Sequence, residues 1–297
     1  MRLPQADLPI LIVGGTGRLG SVVRRFWNPD IKVLWQARRA TQGIDLVWSP
    51  EGGLSSLLEQ LARINVTRLR AVVALWGAVP GKAADLSLNT QLAHVAADLA
   101  LALQADRVLH CSSAAVYKPG PEPACESDVA APVSAYGQAK LAMETAIHRR
   151  HQEAPNEPKP CILRIGNVIG ADALSDAMRV AAHNRTAVTL DRFTNGEGPA
   201  RSFISGSDLA RCLAALLRCE LSVLPETVNL AAHRPTSMAE LVHEAGLPLA
   251  WRPALSGATP LVSLETKLLR GIIDLGPDSG TAAHLLKEDR VKRMLPQ

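Results

Sequence analysis

A short apolar run, Leu8-Pro9-Ile10-Leu11-Ile12-Val13, empties into Gly14-Gly15-Thr16-Gly17-Arg18-Leu19-Gly20, after which Ser21-Val22-Val23-Arg24-Arg25-Phe26 continues with helical spacing. Strand, glycine turn and helix in that order suit the pyrophosphate of a dinucleotide. Glycines permit the tight turn and a close backbone approach, and unpaired N–H groups at the helix start attract negative charge. Gly14, Gly17 and Gly20 satisfy one spacing of this loop, and Gly15, Gly17 and Gly20 satisfy the other, so spacing leaves the subclass open. An ordinary glycine-rich turn is the plain alternative, and the flanking strand and helix argue against it.

The same alternation continues downstream. Strand-length apolar runs at 10–13, 32–36, 71–75, 107–111 and 161–165 are separated by helical spacing at 20–27, 54–64, 89–104 and 136–150. That pattern predicts an α/β chain with a Rossmann-type, doubly wound parallel sheet and crossover helices. Residues 153–160 hold three prolines and are expected to form an exposed connection rather than helix interior. After Gly170 the pattern loosens, although 208–217 and 237–245 read as helices and 227–231 as a strand. The expected organisation is a cofactor-binding domain over 1–165 and a smaller substrate-binding lobe over 166–297, with about 201–232 returning in part to the sheet. The chain's 297 residues suit one large domain or two intimate ones.

Composition narrows the partners. Hydrophobic residues make up 47% of the chain and aromatics 3%, and 32 basic against 28 acidic residues leave a net charge of +4. These values argue against disorder and against nucleic acid as a partner. No uncharged apolar stretch reaches the roughly 18 residues of a transmembrane helix, and 1–10 lack the pattern of a signal peptide. Five scattered cysteines, Cys111, Cys125, Cys161, Cys212 and Cys219, form no C-x-x-C pair and suit a reducing compartment. A cytoplasmic protein without a membrane partner is expected. His148 and His151 lie three apart without a third ligand beside them, so no metal is expected. The five tryptophans read as core or pocket-wall residues.

Where an NAD site places an acid after the second strand, this chain reads Trp35-Gln36-Ala37-Arg38-Arg39. Two guanidiniums there suit a 2′-phosphate, with Arg18 of the glycine loop as a third, because arginine binds phosphate bidentately. NADP(H) is therefore favoured and NAD(H) kept as the alternative; solvated arginines after a strand are the simpler reading of Arg38 and Arg39. The expected cofactor contacts are Gly14, Gly15, Thr16, Gly17, Arg18, Leu19, Gly20, Arg38, Arg39, Asp45, Tyr136 and Lys140.

The chain has only two tyrosines, and one opens Tyr136-Gly137-Gln138-Ala139-Lys140, which puts Tyr136 and Lys140 on one helix face. Upstream, Val108-Leu109-His110-Cys111-Ser112-Ser113-Ala114-Ala115-Val116-Tyr117 is a strand ending in two serines at the carboxyl edge of the sheet, where open α/β folds bind ligands. With Leu163-Arg164-Ile165-Gly166-Asn167-Val168-Ile169-Gly170, the stretch Arg201-Ser202-Phe203-Ile204 and Glu265-Thr266-Lys267-Leu268, these motifs resemble the extended short-chain dehydrogenase/reductase family, in its NAD(P)-dependent epimerase/dehydratase group. The resemblance spans nearly the whole chain.

That resemblance implies Tyr136 as general acid/base, Lys140 as its partner and Ser113 as the hydroxyl that holds the reacting oxygen. Ser113 matches, rather than Ser112, by its distance from Tyr117. A free phenol titrates near pH 10, so a lysine ammonium beside it is expected to favour the phenolate. The resemblance also puts Asn167 and Arg201 at a substrate diphosphate, with Ser113 and Tyr136 completing the substrate contacts, and so implies a nucleotide sugar. Ala114-Ala115 stand where the family's dehydratases carry Asp-Glu, which disfavours elimination. Leu75-Trp76-Gly77-Ala78 and Lys118 also depart from the family at the mouth of the site. Hydride transfer at a carbinol or keto carbon is the expected chemistry, in an epimerase or a reductase. A ketoreductase on a non-sugar carbonyl and a silent NADP-sensing regulator remain the alternatives. Family members are often dimers through helices equivalent to 89–104 and 136–150, so a homodimer is admitted.

Overall fold

The computed structural model describes residues 8–81 and 84–287; residues 1–7, 82–83 and 288–297, including the outer ends of both expected lobes, lie outside the described residues. In chain order the first half comprises β1 (Ile10–Val13), α1 (Arg18–Phe26), β2 (Val33–Ala37), β3 (Leu46–Val47), α2 (Gly53–Arg63), β4 (Ala71–Ala74), α3 (Leu88–Ala102), β5 (Arg107–Ser113), α4 (Ala135–Glu153) and β6 (Lys159–Ile165). The second half comprises β7 (Asn167–Val168), α5 (Ala173–Asn184), β8 (Val188–Arg192), β9 (Ala200–Arg201), β10 (Phe203–Ile204) and α6 (Gly206–Arg218). It continues with β11 (Thr227–Leu230), β12 (Thr236–Ser237), α7 (Met238–Glu244), β13 (Leu249–Pro253), β14 (Leu261–Val262), α8 (Lys267–Arg270) and α9 (Ala282–Leu286).

A seven-stranded parallel sheet orders its strands β11-β6-β5-β4-β1-β2-β3. β1 pairs with β2 on one side and, after the chain crosses back from β3, with β4 on the other, so the order reverses at β1, and the glycine loop opens at that switch point. Successive strand residues face opposite layers. Ile10, Ile12, Val73, Leu109 and Leu163 pack with Val23 of α1 and with Leu209, Leu213 and Leu216 of α6. Leu11, Val13, Val72 and Val108 pack with Leu57 and Leu61 of α2 and with Ala96 and Leu99 of α3. Burial on both faces is why these strands read as unbroken apolar runs.

The second lobe has its own core, in which Leu174 and Met178 of α5 meet Phe203, Leu241, Val242 and Leu285. It also lends β11 to the central sheet, beside β6 with Thr227 opposite Ile162, and α6 to one of the sheet's faces. The proline-rich connection is shorter than expected, because α4 runs through Glu153 and β6 opens at Lys159 with Pro160 buried. Pro160 precedes the point where β11 joins, so its missing N–H interrupts no pairing on that side. The β2–β3 link is also brief. β3 joins only opposite Gln36 and Ala37, so residues 38–45 need to turn back by little more than one strand residue. Among the described residues no helix is long and apolar enough to cross a membrane.

Candidate active site

At the switch point the glycine loop is tightly held. Gly14 has φ +87°, and a methyl group there would lie 2.8 Å from the Trp76 backbone nitrogen; one on Gly20 would collide with the Gly14 carbonyl oxygen. These contacts seat α1 directly on the loop. Gly17 caps α1 without a side-chain acceptor, the first turn carries no acid, and the N–H groups of Arg18, Leu19 and Gly20 precede the intrahelical ladder. A glycine-rich loop joined to open helix amides fits a dinucleotide pyrophosphate.

The residues expected to choose the cofactor are placed differently from one another. Arg38 and Arg39 follow β2 at its carboxyl end, and both are exposed. Arg18 is ion-paired with Asp176 of α5, which also takes Arg179 at 2.5 Å, so this guanidinium ties the glycine loop to the second lobe. The Asp45 carboxylate accepts the Trp35 N–H at 2.8 Å and closes the β2–β3 link.

Tyr136 lies in the first turn of α4, which Ser134 caps by accepting the Gly137 N–H at 3.1 Å. A methyl group on Gly137 would collide with the Ala115 carbonyl, so α4 begins pressed against the turn that follows β5. That contact sets the Ser113 hydroxyl near enough to the Tyr136 phenol to favour its ionised form; the same oxygen accepts the Ala115 N–H at 3.2 Å. One helical turn further on, Lys140 is 3% exposed and donates to the Cys111 carbonyl at 2.9 Å, with its nitrogen 6.0 Å from the Tyr136 ring centre.

The electrostatics differ from the expectation that Lys140 lowers the phenol. Burial pushes Tyr136 up to about 12, with Cys111 adding to the rise and Ser113 opposing it. Burial also holds Lys140 below the ordinary lysine range, against the pull of Cys111 and Glu144. The physical reason is local: the ammonium is bonded to a backbone carbonyl rather than to the phenol oxygen, so desolvation dominates at both groups.

Several neighbours escaped sequence reasoning. Glu144 is 2% exposed and Arg164 6% exposed; the guanidinium donates to both carboxylate oxygens, at 2.8 Å to the nearer, while Glu144 accepts the Ser112 hydroxyl at 2.5 Å. Arg164 also donates to the Tyr117 hydroxyl at 2.8 Å, which in turn donates to Asn229 Oδ1 at 2.8 Å. Tyr117 therefore belongs to a buried strut between α4, β6 and β11, which distinguishes it from Tyr136. Glu144 could have been found as the next member of the Tyr136–Lys140 helix face. Asn89, 1% exposed in the first turn of α3, donates to the Ala78 and Leu86 carbonyls, while its Oδ1 is buried without a partner among the described residues. A methyl group on Gly77 would lie 2.9 Å from that oxygen and 3.1 Å from the Lys140 nitrogen, so both groups converge on one glycine.

The two expected substrate residues flank the strands of the second lobe. Asn167 opens β7, partly buried. Arg201 in β9 donates to the carbonyls of Ala200, Thr259 and Pro260 at 2.7–3.2 Å, an arrangement that shapes the loop before β14. The large cavity of about 1090 Å³ on the outer flank of α1, between Arg18, Trp35, Arg179, Asp208 and His284, includes none of Ser113, Tyr136 and Lys140. The candidate catalytic set at the sheet edge therefore lies outside that cavity.

The sequence profile of the NAD dependent epimerase/dehydratase family matches residues 10–231. The chain is 31% identical over 262 residues to the 2′-dehydrokanamycin reductase of Streptomyces kanamyceticus, covering 82% of this chain and 68% of that one. It is 28% identical over 285 residues to the dTDP-6-deoxy-L-talose 4-dehydrogenase (NAD(P)(+)) of Kitasatospora kifunensis, covering 86% and 85%. The crystal structure of UDP-glucuronic acid 4-epimerase from Bacillus cereus, in complex with UDP-glucuronic acid and NAD, superposes with a TM-score of 0.77 over 97% of this chain and 100% of that one. At 18% identity this likeness is one of fold.

Proposed function

The chain belongs to the NAD dependent epimerase/dehydratase family, and on that premise we propose that it is an NADP(H)-dependent oxidoreductase that interconverts a ketone and an alcohol on a sugar ring, with a nucleotide sugar as substrate. The observation that carries the reading is the set formed by Ser113, Tyr136 and Lys140 at the carboxyl edge of the sheet, beside a glycine loop shaped for a dinucleotide. Two relatives support net oxidoreduction, since one is named a reductase and the other a dehydrogenase. Ala114 and Ala115 stand in the turn after Ser113 and offer no acid or base for an elimination.

The glycine loop, by close backbone approach, and the first amides of α1 would hold the pyrophosphate, and Arg38 and Arg39 would receive the 2′-phosphate. A bound NADP(H) supplies or accepts the hydride at its nicotinamide. Ser113 orients the substrate oxygen, and Tyr136 gives that oxygen a proton in reduction or takes it in oxidation. Tyr136, protonated at neutral pH and pushed further up by burial, can act as a proton donor in reduction. Lys140, held by the Cys111 carbonyl one helical turn from the phenol, is the cationic partner the reading assigns to Tyr136. Because Arg201 is engaged with three backbone carbonyls, a second reading takes a sugar without a diphosphate, as in the relative named for a dehydrokanamycin.

The test offers NADPH deuterated at the transferable position with two ketones, a dTDP-4-keto-6-deoxyhexose and 2′-dehydrokanamycin. Deuterium at the former carbonyl carbon of the first supports the main reading, and at that of the second the alternative. Tight NADPH binding with neither ketone reduced contradicts both and leaves a cofactor-binding regulator.

A further inference from the structure

Gln36 sits one residue before the end of β2 and is 1% exposed. A buried carboxamide is tolerated only when its donors and acceptors are matched. Here each end has a distinct task. Oε1 accepts the Gly14 N–H at 3.1 Å, Nε2 donates to the Trp48 carbonyl just beyond β3, and the residue's own main-chain carbonyl accepts the Gly15 N–H at 2.8 Å. One residue of β2 therefore takes the first two amides of the glycine loop and also grips the exit of the neighbouring strand. Leucine or methionine would supply neither bond, and an ionised glutamate would oppose the Trp48 carbonyl.

This bracing has consequences for the groove. The Gly14 and Gly15 amides are turned into the sheet, so the helix amides from Arg18 onward remain to face an anion. Gly14 is held where a methyl group would meet the Trp76 backbone, and Arg38 and Arg39 follow from the strand that Gln36 anchors.

We propose that Gln36 is a positioning residue for the cofactor: it sets the distance between the glycine loop and the lip formed by the exits of β2 and β3, and so the affinity for the dinucleotide. The inference rests on the reading of this loop as an NADP(H) site. The experiment titrates NADPH by fluorescence against the whole chain, with the ligand-free melting temperature recorded beside it. Gln36→Met is expected to raise the Kd for NADPH about tenfold or more. Val242→Ala, in the separate core of the second lobe, serves as a stability control and should leave the Kd within about threefold of wild type. A Gln36→Met Kd equal to wild type, or a rise that Val242→Ala reproduces at the same loss of melting temperature, overturns the inference.

Should Gln36→Met not fold, Gln36→Glu preserves the shape. The partners of the side chain are backbone groups, so the introduced carboxyl can serve both while protonated and only Gly14 once ionised. Its NADPH affinity is expected to fall with rising pH more steeply than that of wild type; parallel pH dependence overturns the inference. A wild-type chain that binds neither NADPH nor NADH instead overturns the reading of the loop, an outcome distinct from unchanged affinity in the variants.

Discussion

Arg38 and Arg39 follow the end of β2, the place where an acid would meet a ribose hydroxyl, and the proposed preference for NADP(H) rests on them. A 2′-phosphate offers charge-assisted bonds worth about 1.5–3 kcal/mol each, and NADH offers none at that point. Replacing both arginines with alanine is expected to weaken NADPH by about 10- to 100-fold and NADH by no more than about threefold, as read by fluorescence titration. Equal losses for the two cofactors would remove the arginines from the choice. At this scale the sequence was uneven as a guide. Tyr136 and Lys140 were legible as a pair because helical spacing places them on one face, whereas the strand delivers both Ser112 and Ser113 to the sheet edge and only the family resemblance chose Ser113. Gln36 and Asn89 were not, since each acts through partners distant in sequence, such as Gly14 for the first and Ala78 for the second. Arg18 read as a phosphate ligand, and only the approach of α5 shows its pairing with Asp176.

The helix that carries the catalytic candidates is fastened along its length by Glu144. Its carboxylate meets Ser112 of β5 and Arg164 of β6, so α4 is joined to two strands by a buried, charged contact. Removing one member of such a pair leaves an uncompensated charge, whereas replacing both restores neutrality. Glu144→Gln is expected to cost about 3–5 kcal/mol in urea unfolding, and Glu144→Gln combined with Arg164→Met should recover at least half of that loss. A double variant no more stable than the single one would contradict this view of the strut. The long elements were legible for a related reason. β1, β4, β5 and β6 are buried on both faces and read as apolar runs, and α4 carries its chemistry at regular spacing. The two-residue strands β7, β9, β10, β12 and β14 were not, because their pairing depends on tertiary contact rather than on any pattern so short a segment can show.

Across the whole molecule, a central sheet and a second core meet through shared elements rather than through a linker. β11 completes the sheet, α6 covers one of its faces, and the chain of contacts from Glu144 through Arg164 and Tyr117 to Asn229 runs from α4 to that returning strand. Asn229 continues the connection by donating to the carbonyls of Ala124 and Glu265. Arg18 and Asp176 add a polar tie between the glycine loop and α5. The two tyrosines thus differ in their surroundings: Tyr117 joins β6 to β11 through Arg164 and Asn229, and Tyr136 lies beside Ser113 at the carboxyl end of β5. The most direct test is turnover of Tyr136→Phe on whichever ketone the wild type reduces, with NADPH affinity measured on the same sample. A fall in kcat of about 100-fold or more, with NADPH still bound within about tenfold of wild-type affinity, is the predicted result. Retention of most of kcat would contradict the role of Tyr136 as the proton donor.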